Sequence, residues 1–449
     1  MSGADAARFA AAERELLDRG FVRMVFDLGR IEGLLRMLGD PQRAYPSIHI
    51  TGTNGKTSTA RMIDSLLRAH GLRTGRYTSP HLKTVRERIT IESEPISESK
   101  FADVYAEVAP LAKLLDEGAG ETFTFFDMTT ALGFAAFADA PVDVAVVEVG
   151  LGGVDDSTNV LHAGVTVLTP IGLDHQEWLG DTLSDIALAK VGIVHKGSTL
   201  ICAAQPEEAM RPILEHCAEV DATIAVQGRD FGVVERSLAL AGQVLELRGR
   251  SGTYSDIYLP LHGAHQAQNA AIALAAVEAF LGAGADKALD PETVRAGFAA
   301  ATSPGRLERV RTAPTILLDA AHNPHGMAAT VTAIADEFGF RRLIAVVSML
   351  RDKDAAGMLD LLEPVVDAIV ITRNTSARAS SAAALAEIAV DIFGADRVRV
   401  EPALPDAIEA AVEMAESDSD ADLSGVGVLI TGSVFTVADA RNLLTRDRA

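Results

Sequence analysis

A lysine and several hydroxyl side chains follow a short apolar run in a spacing that could bind a phosphate chain. Residues 47–51, SIHIT, predict a buried strand, and the loop after it carries the candidate phosphate contacts: Gly52, Thr53, Asn54, Gly55, Lys56, Thr57 and Ser58. Glycines let backbone N–H groups meet phosphate oxygens, and the N-terminus of the following helix adds partial positive charge. Lys56 would neutralise the β- and γ-phosphates, and a hydroxyl from Thr57 or Ser58 could approach Mg²⁺. Ile50 replaces the first glycine of the Walker spacing, so the pattern predicts a variant nucleotide-binding loop.

Polar side chains near the ends of other predicted strands could hold a divalent cation. Glu148 nearly ends one apolar run, and Ser79 lies in the sequence TSPHL. Asp174 and His175 follow another apolar run. Ligands bind beyond the carboxyl ends of strands in open α/β sheets, so these side chains are expected near the phosphate loop. Together they predict the ligands of a divalent metal ion, whereas each one alone would be interpreted as structural.

Alternating strands and helices must position these residues. In residues 60–69 the apolar side chains share one helix face, and Gly71 suits the first position beyond that helix. Continuous apolar runs are typical of parallel strands that are buried on both faces. These runs are 47–51, 142–149, 165–169, 315–319, 343–348, 368–372 and 426–431. The alternation predicts an α/β protein with two doubly wound domains.

A domain boundary is predicted at residues 303–306, SPGR, where proline and glycine interrupt the helical pattern. A new series of strands and helices is expected from Thr315. The predicted domains are therefore 1–305 and 306–449. An Ala-rich helix around 269–281 is expected to close the first domain.

The composition excludes some classes of protein. The chain has 449 residues, with 40 Lys and Arg against 62 Asp and Glu, and its formal net charge of -22 disfavours nucleic acid as a partner. No apolar stretch approaches a membrane span and no secretory signal is recognised, so a cytoplasmic protein without a membrane partner is expected. Cys202 and Cys217 cannot form a disulfide framework and favour a reducing compartment. Residues 413–425 predict a solvated acidic loop.

The order of the motifs resembles a known family. They are ITGTNGKTS, TSPHL followed by ERI, VEVGLGG, DSTN, TPIGLDH, LAKVGI, HQAQNAA, PGRLE and LLDAAHNPHG. From about residue 28 to 435 the chain resembles the folylpolyglutamate synthase/dihydrofolate synthase family, within the Mur-type ATP-dependent amide ligases. AHNPHG with TSPHL distinguishes this branch from the cell-wall ligases. The resemblance implies a first domain of the Mur ligase central type and a smaller, Rossmann-like glutamate ligase domain.

The resemblance also implies a metal and nucleotide site. Ser79, Glu148 and His175 would be the magnesium ligands, and Lys190 would carry a carbamate that adds an anionic partner for the metal. A lysine in a desolvated site has a depressed pKa and a reactive neutral amine, although the sequence alone would place Lys190 on a helix surface. The residues expected to hold ATP, in addition to the loop, are Asn269, Arg306 and Asp319. His322 is expected to be catalytic.

The resemblance implies a second group of residues, for the acid substrate. These are Phe125, Phe126, Asp127 and Asp156. The aromatic rings could stack on a pterin ring, or they could pack in the core. The chain departs from the family at Val154, which is often arginine, at Ala189, which is usually glutamate, and at Asp127, which is otherwise glutamate.

The implied activity is the ATP- and Mg²⁺-dependent joining of L-glutamate to dihydropteroate or to a reduced folate. A carboxylate becomes reactive toward an amine once ATP has converted it into an acyl phosphate. A monomer is expected. The alternatives are another Mur-type ligase acting on a cell-wall precursor, a P-loop kinase or switch, and a non-catalytic ATP-binding module. The sequence leaves open whether the first glutamate, later ones or both are added.

Overall fold

The computed structural model describes residues 3–20, 27–119, 121–284, 287–417 and 425–445. Contacts divide the chain into two compact units. The first comprises Met1–Ser237, Val244–Pro260 and Ala267–Thr302, and the second comprises Leu238–Gln243, Leu261–Gln266 and Ser303–Ala449. Among the described helices, none is long and apolar enough to cross a bilayer.

An eight-stranded sheet forms the centre of the first unit, in the order β4-β3-β2-β5-β1-β6-β7-β8. Strands β2, β5, β1, β6, β7 and β8 are parallel, and β3 and β4 are antiparallel additions at one edge. The strands are β1 Ser47–Thr51, β2 Thr74–Tyr77, β3 Ile89–Ile91, β4 Glu94–Pro95, β5 Val144–Glu148, β6 Val165–Leu168, β7 Thr199–Cys202 and β8 Thr223–Val226. Every residue of β1, β5 and β6 is buried, which confirms the interpretation of their apolar runs.

Helices cover this sheet. Those of the first 299 residues are α1 Gly3–Asp18, α2 Leu28–Met37, α3 Lys56–Ala69, α4 Glu98–Ala119, α5 Phe125–Asp139, α6 Gln176–Leu179, α7 Leu183–Val191, α8 Glu207–Glu219, α9 Ala264–Phe280 and α10 Pro291–Ala299. The expected helix end at Gly71 is confirmed. Gly71 has a φ of 83° and its N–H donates to the Arg68 carbonyl, while the Leu72 N–H donates to that of Leu67. The prediction that the Ala-rich helix closes the first domain is wrong. That helix is α9, but α10 follows it and packs on α3 through Gly297.

A three-stranded sheet was not predicted from the sequence. Its order is β11-β10-β9, with β9 Gly232–Ala239, β10 Gly242–Arg248 and β11 Thr253–Leu259. Buried and partly exposed residues are interspersed along all three strands. No continuous apolar run therefore marks these three strands, because such runs are typical only of strands buried on both faces.

The second unit contains a six-stranded sheet in the order β12-β13-β17-β14-β15-β16. Only β12 is antiparallel to its neighbour. The strands are β12 Glu308–Thr312, β13 Thr315–Leu318, β14 Arg342–Val347, β15 Ala368–Arg373, β16 Val398–Ala403 and β17 Val426–Thr431. The helices are α11 Pro324–Glu337, α12 Ala355–Leu362, α13 Ala382–Phe393, α14 Leu404–Glu416 and α15 Val434–Leu444. The parallel α/β architecture was predicted correctly.

Two predictions for the second unit need correction. The strand series begins at β12 and not at Thr315, because the half-exposed sequence ERVRT lacks a continuous apolar run. The predicted acidic loop 413–425 begins as helix, since α14 extends to Glu416 and buries Ala415. Residues 418–424 of that segment lie outside the described residues.

Candidate active site

Two glycines shape the loop after β1. Gly52 has a φ of 141°, and a Cβ there would lie 2.0 Å from Thr169 Oγ1. Gly55 has a φ of 90°, and a Cβ there would lie 2.6 Å from the side-chain oxygen of Asn269. Both positions therefore exclude a larger residue by conformation and by space. The second contact also brings Asn269, a predicted ATP-binding residue, to the loop.

Hydrogen bonds fix the loop to the segment that follows β6. The backbone N–H groups of Thr53 and Asn54 donate to the Pro170 carbonyl at 3.0 and 3.3 Å. The Lys56 ammonium donates to the carbonyls of Gly52 and Thr53 at 2.9 and 3.1 Å. Lys56 begins α3, so a cation and the positive end of a helix dipole coincide at this loop.

A buried carboxylate lies against this loop. Glu148 ends β5 and is 1% exposed. The Thr57 hydroxyl contacts its two carboxylate oxygens at 2.9 and 3.0 Å, and the Ser79 N–H donates to it at 3.3 Å. The structure therefore brings together two of the predicted metal ligands and a hydroxyl of the phosphate loop. The Glu148 carboxylate and the Thr57 hydroxyl offer hard oxygen donors, which suit a divalent cation such as Mg²⁺.

Lys190 is buried beside the same loop, and its interpretation as a helix-surface residue is wrong. Its side chain is 4% exposed, and its Nζ donates to the Gly52 carbonyl at 3.0 Å. Burial, and secondarily the charge of Lys56, lowers the pKa of Lys190 to about 7, against the opposing effect of Asp174 and Asp156. An amine in this environment is partly neutral at physiological pH and can act as a nucleophile.

His175 lies at the start of α6 with a φ of 54°. The His175 backbone N–H donates to an oxygen of the Asp174 carboxylate at 2.9 Å, and the ring Nε2 of His175 lies 3.8 Å from the same oxygen. Across the part of the chain that the structure describes, no three His, Cys, Asp or Glu side chains converge as a metal site. The structure thus joins Ser79 to Glu148 and does not show His175 converging with two such ligands.

In the second unit, the predicted residues Asp319, His322 and Arg306 form hydrogen bonds with nearby residues of the same unit. The Asp319 carboxylate accepts from the N–H groups of Leu307 and Ala321, both at 3.0 Å, and from the Thr330 hydroxyl at 2.7 Å. His322 Nδ1 lies 2.9 Å from the Ala320 carbonyl, so Nδ1 donates a hydrogen bond to it. The Arg306 guanidinium donates a hydrogen bond to the Gly305 carbonyl at 3.2 Å.

The two aromatic candidates differ in their surroundings. Phe125 is 1% exposed and belongs to the core of the first unit, as the packing alternative predicted. The Phe126 ring lies against Gly150, where a Cβ would approach it to 2.4 Å, and its centroid is 6.0 Å from that of Tyr77. Phe126 therefore borders the glycine-rich loop 150–153 at Gly150, whereas Phe125 lies in the core.

Both candidate carboxylates of this region stabilise turns. Asp127 caps α5 by accepting from the Thr124 N–H at 2.9 Å, and it also accepts from the Ser157 hydroxyl. Asp156 accepts from the N–H groups of Leu151 and Thr158 at 2.9 and 3.0 Å. Burial raises the pKa of Asp156, and these hydrogen bonds oppose that effect. Together the two carboxylates shape the loop that follows Glu148.

Two charged residues of this region were missed from the sequence. The Glu87 carboxylate accepts from the backbone N–H groups of Leu82, Lys83 and Thr84 at 2.9, 3.0 and 3.1 Å. Arg88 Nε donates to His81 Nδ1 at 3.0 Å. The sequence signal for them is the ERI motif, which follows TSPHL closely.

Comparisons with known proteins define the class. The model of the Mur ligase middle domain matches residues 50–277, and that of the Mur ligase glutamate ligase domain matches residues 305–434. The chain is therefore a Mur-type ligase, and the predicted fold class and the prediction of an ATP-dependent ligase are confirmed. A P-loop kinase or switch and a non-catalytic module do not account for both matches.

The family within this class is also shown. The chain is 49% identical to the dihydrofolate synthase/folylpolyglutamate synthase of Mycobacterium tuberculosis, over 96% of this chain and 93% of that protein. The folylpolyglutamate synthase of M. tuberculosis complexed with ADP superposes with a TM-score of 0.94, covering 99% of both chains at 49% identity. An FPGS–AMPPCP–folate complex has a TM-score of 0.84 at 31% identity, covering 97% of this chain and 99% of that one. The chain belongs to the dihydrofolate synthase/folylpolyglutamate synthase family, as its motifs predicted.

Proposed function

We propose that this protein joins L-glutamate to a pteroate-type acid, either dihydropteroate or a reduced folate, with conversion of ATP to ADP and phosphate. The observation that carries the proposal is that Glu148 contacts the Thr57 hydroxyl and the Ser79 backbone beside the phosphate loop, while buried Lys190 donates to the Gly52 carbonyl of that loop. The similar proteins named above include a complex with ADP and one with AMPPCP and folate. The two nucleotides and the folate in these complexes match the proposed nucleotide and acid substrates.

The reaction has two steps. The carboxylate of the acid attacks the γ-phosphorus of ATP, which forms an acyl phosphate and releases ADP. The amine of glutamate then attacks the activated carbonyl carbon, which forms the amide and releases phosphate. Lys56 and the loop N–H groups stabilise the charge that spreads over the transferred phosphoryl group.

Mg²⁺ belongs to the same proposal. Glu148, Ser79 and the Thr57 hydroxyl would hold it on the phosphate loop, and His175 is proposed as a further ligand from the family resemblance. The buried carboxylate with hydroxyl and backbone partners fits a hard cation. When bound, the ion would neutralise charge on the phosphate oxygens.

Lys190 is proposed to carry a carbamate. Its amine is buried, and its pKa of about 7 favours the neutral form that reacts with CO₂. The reaction forms an N–C bond and releases one proton. It converts a site with two neighbouring lysines, Lys56 and Lys190, into one with a cation and an anion, which removes their mutual repulsion.

The remaining roles rest mainly on the resemblance. Phe126, Asp127 and Asp156 are proposed to form the site of the acid, and buried Phe125 is proposed to support it from the core. The residues proposed to bind ATP are Asn269, Arg306 and Asp319. His322 is proposed as a catalytic residue. A monomer in the cytoplasm is part of the same proposal.

A substrate panel tests the function. ADP release is measured with dihydropteroate and with reduced monoglutamyl folates, in each case with and without L-glutamate. We expect ADP release to require both the acid and glutamate, and we expect both classes of acid to gain a glutamate. Extension of folates without formation of dihydrofolate would restrict the function to polyglutamylation. ADP release without either acid would contradict the proposal.

A further inference from the structure

A cavity of about 270 Å³ lies within the first unit, away from the candidate active site. Three of the residues that line it come shortly before parallel strands of the eight-stranded sheet: Arg43 before β1, His162 before β6 and His195 before β7. The phosphate loop follows β1 and Glu148 ends β5, at the opposite edge of the same sheet. The cavity is therefore separate from the phosphate loop.

Two parts of the chain form the walls of this cavity. On the first wall, Leu28, Glu32 and Arg36 follow one another at intervals of four residues, which places them along one face of α2. The turn 40–43 continues this wall beyond the helix. The second wall comes from the segment 159–162 and from His195, whose ring centre lies 5.0 Å from that of His162.

The size of the cavity limits the ligand. Pockets that hold drug-sized molecules measure roughly 300–1,000 Å³. A cavity of about 270 Å³ therefore suits a smaller molecule and is too small for ATP or a folate. Leu28 and Val160 give part of the lining an apolar surface, which suits a short chain of methylene groups.

A buried amide oxygen in the lining lacks a hydrogen bond. Gln42 is 6% exposed, and its Nε2 donates to the Asp40 carboxylate at 3.2 Å, which fixes the orientation of the amide. Among the described residues, its Oε1 has no hydrogen-bond partner. A buried acceptor without a donor is costly. The cavity therefore favours a ligand that donates a hydrogen bond to Gln42.

The cavity also carries charges of both signs. Within the described part of the chain, neither the Glu32 carboxylate nor the Arg36 guanidinium forms an ion pair or a side-chain hydrogen bond. Arg43 and Asp40, which also line the cavity, lie 4.0 Å apart. A ligand with one sign of charge would attract one member of the pair Glu32 and Arg36 and repel the other. A ligand with an ammonium group and a carboxylate complements both.

We propose that this cavity is a binding site for a free α-amino acid. The ammonium group donates to the Glu32 carboxylate and to Gln42 Oε1, and the carboxylate accepts from the Arg36 guanidinium. The methylene groups of the amino acid pack on Leu28 and Val160. The proposal does not rest on the proposed function, because none of these residues has a role in that reaction.

A free amino acid differs from a glutamate chain that is attached to a folate. Every nitrogen of such a chain is acylated, so the chain has no ammonium group for Glu32 and Gln42. N-acetyl-L-glutamate reproduces this difference, because it keeps both carboxylates and loses the positive charge. L-Glutamate is therefore the probe for the proposed site, and N-acetyl-L-glutamate and inorganic phosphate are the probes for a site that accepts any anion.

Three substitutions remove the proposed contacts one at a time. Glu32→Gln and Arg36→Gln each remove one charge from an exposed position. Gln42→Met removes the buried acceptor and keeps a similar size. Glu117→Gln is the matched control, because Glu117 is exposed on α4 and does not line the cavity. Thermal melting of every variant reports whether it is folded.

The measurement is NMR of the full chain with carbon-13-labelled histidine, titrated with L-glutamate in the absence of ATP and the acid. The His162 ring signals are assigned by their loss in His162→Gln. We expect these signals to shift saturably in the millimolar range, with NOEs between the His162 ring protons and the methylene protons of the ligand. Glu32→Gln and Arg36→Gln should each raise the Kd about 10-fold, and Gln42→Met should raise it by a smaller factor. Glu117→Gln should leave it unchanged.

Three results would overturn the inference. One is the absence of a saturable His162 shift in the parent. Another is a shift of equal affinity with N-acetyl-L-glutamate or phosphate, because the site would then accept any anion. The third is an unchanged Kd in both Glu32→Gln and Arg36→Gln, which would place the bound amino acid elsewhere. Should Gln42→Met not fold, these two exposed variants decide the question.

This design separates the inference from the proposed function, because binding is measured without ATP and without the acid. A parent that binds L-glutamate at His162 and fails to ligate it contradicts the proposed function alone. A parent that ligates glutamate without the His162 shift contradicts the inference alone.

Discussion

Removal of CO₂ should inactivate the enzyme reversibly, because the account requires a carbamate on Lys190. The perturbation is exhaustive degassing at mildly acidic pH, where carbamates decompose, followed by return to neutral pH with or without bicarbonate. We expect activity to recover only with bicarbonate. The side chain is 4% exposed and held on the Gly52 carbonyl, so CO₂ would react with an amine that already lies in position.

The magnitude follows from the pKa of Lys190. With a pKa of about 7 in place of the ordinary 10.5, roughly half of the amine is neutral at pH 7, against about one part in 3000 for an exposed lysine. The reactive fraction is therefore raised on the order of 1000-fold. The same pKa shift makes the stability of the protein without the carbamate depend on pH. Between pH 7 and 10.5 Lys190 is protonated to a greater extent in the unfolded chain than in the folded chain. The free energy of unfolding should therefore rise with pH across that window.

The assay is carbon-13 NMR of enzyme reactivated with carbon-13 bicarbonate. We expect one carbamate resonance in the parent that disappears in Lys190→Ala, together with nearly all activity. Acetate or another short carboxylic acid should partly restore Lys190→Ala by occupying the vacated space. Lys196→Ala is the control, since this lysine is exposed five residues beyond α7's Val191, and the variant should keep both the resonance and the activity.

Two results would refute this reasoning. One is full activity in enzyme that shows no carbamate carbon, because the unmodified lysine would then suffice. The other is loss of activity in Lys190→Ala that no carboxylic acid relieves while the parent also lacks the resonance. The first result would show that activity needs no carbamate, and the second would show that Lys190 acts as a cation.

Three further substitutions test other parts of the site and fold. Lys56→Ala should abolish ADP release without lowering the melting temperature, and near-normal turnover by the folded variant would contradict the nucleotide assignment. Glu148→Gln should raise the Mg²⁺ concentration needed for half-maximal activity, because it keeps the size but loses the charge; an unchanged titration would make Glu148 structural. Asp64→Ala should lower the free energy of unfolding by about 3–5 kcal/mol in urea titrations, since it leaves buried Arg76 without its partner at 2.6 Å. A loss below about 1 kcal/mol would show that Arg76 finds another partner.

The strands that carry the site were predictable because they are buried on both faces. The strand 47–51 was predicted with the bounds that the structure has, and Glu148 was correctly placed at the end of its strand. Continuous apolar sequence and glycine at turns are local signals. They therefore predicted the loop between β1 and α3 without any knowledge of the rest of the fold.

The features that could not be predicted from the sequence depend on partial exposure of strands and on contacts between residues distant in sequence. Strand β12 is mostly charged and β16 begins by alternating apolar with charged residues, so no continuous apolar run marks either of these partly exposed strands. The Phe125 ring packs against the Arg88 guanidinium, and Lys190 donates to the Gly52 carbonyl. Neither contact can be read from the periodicity of a single segment, so the sequence misassigned Lys190 to a surface and left the position of Phe125 open.

The transfer of oxygen from the acid substrate to phosphate tests the central claim most directly. Dihydropteroate labelled with oxygen-18 in its carboxylate is incubated with ATP and L-glutamate, and the released phosphate is analysed by mass spectrometry. The account predicts one labelled oxygen in each phosphate and one amide bond formed for each ATP consumed, because the attacking carboxylate oxygen leaves with phosphorus. Unlabelled phosphate together with amide formation would contradict an acyl phosphate, and phosphate released without an amide product would contradict ligation itself.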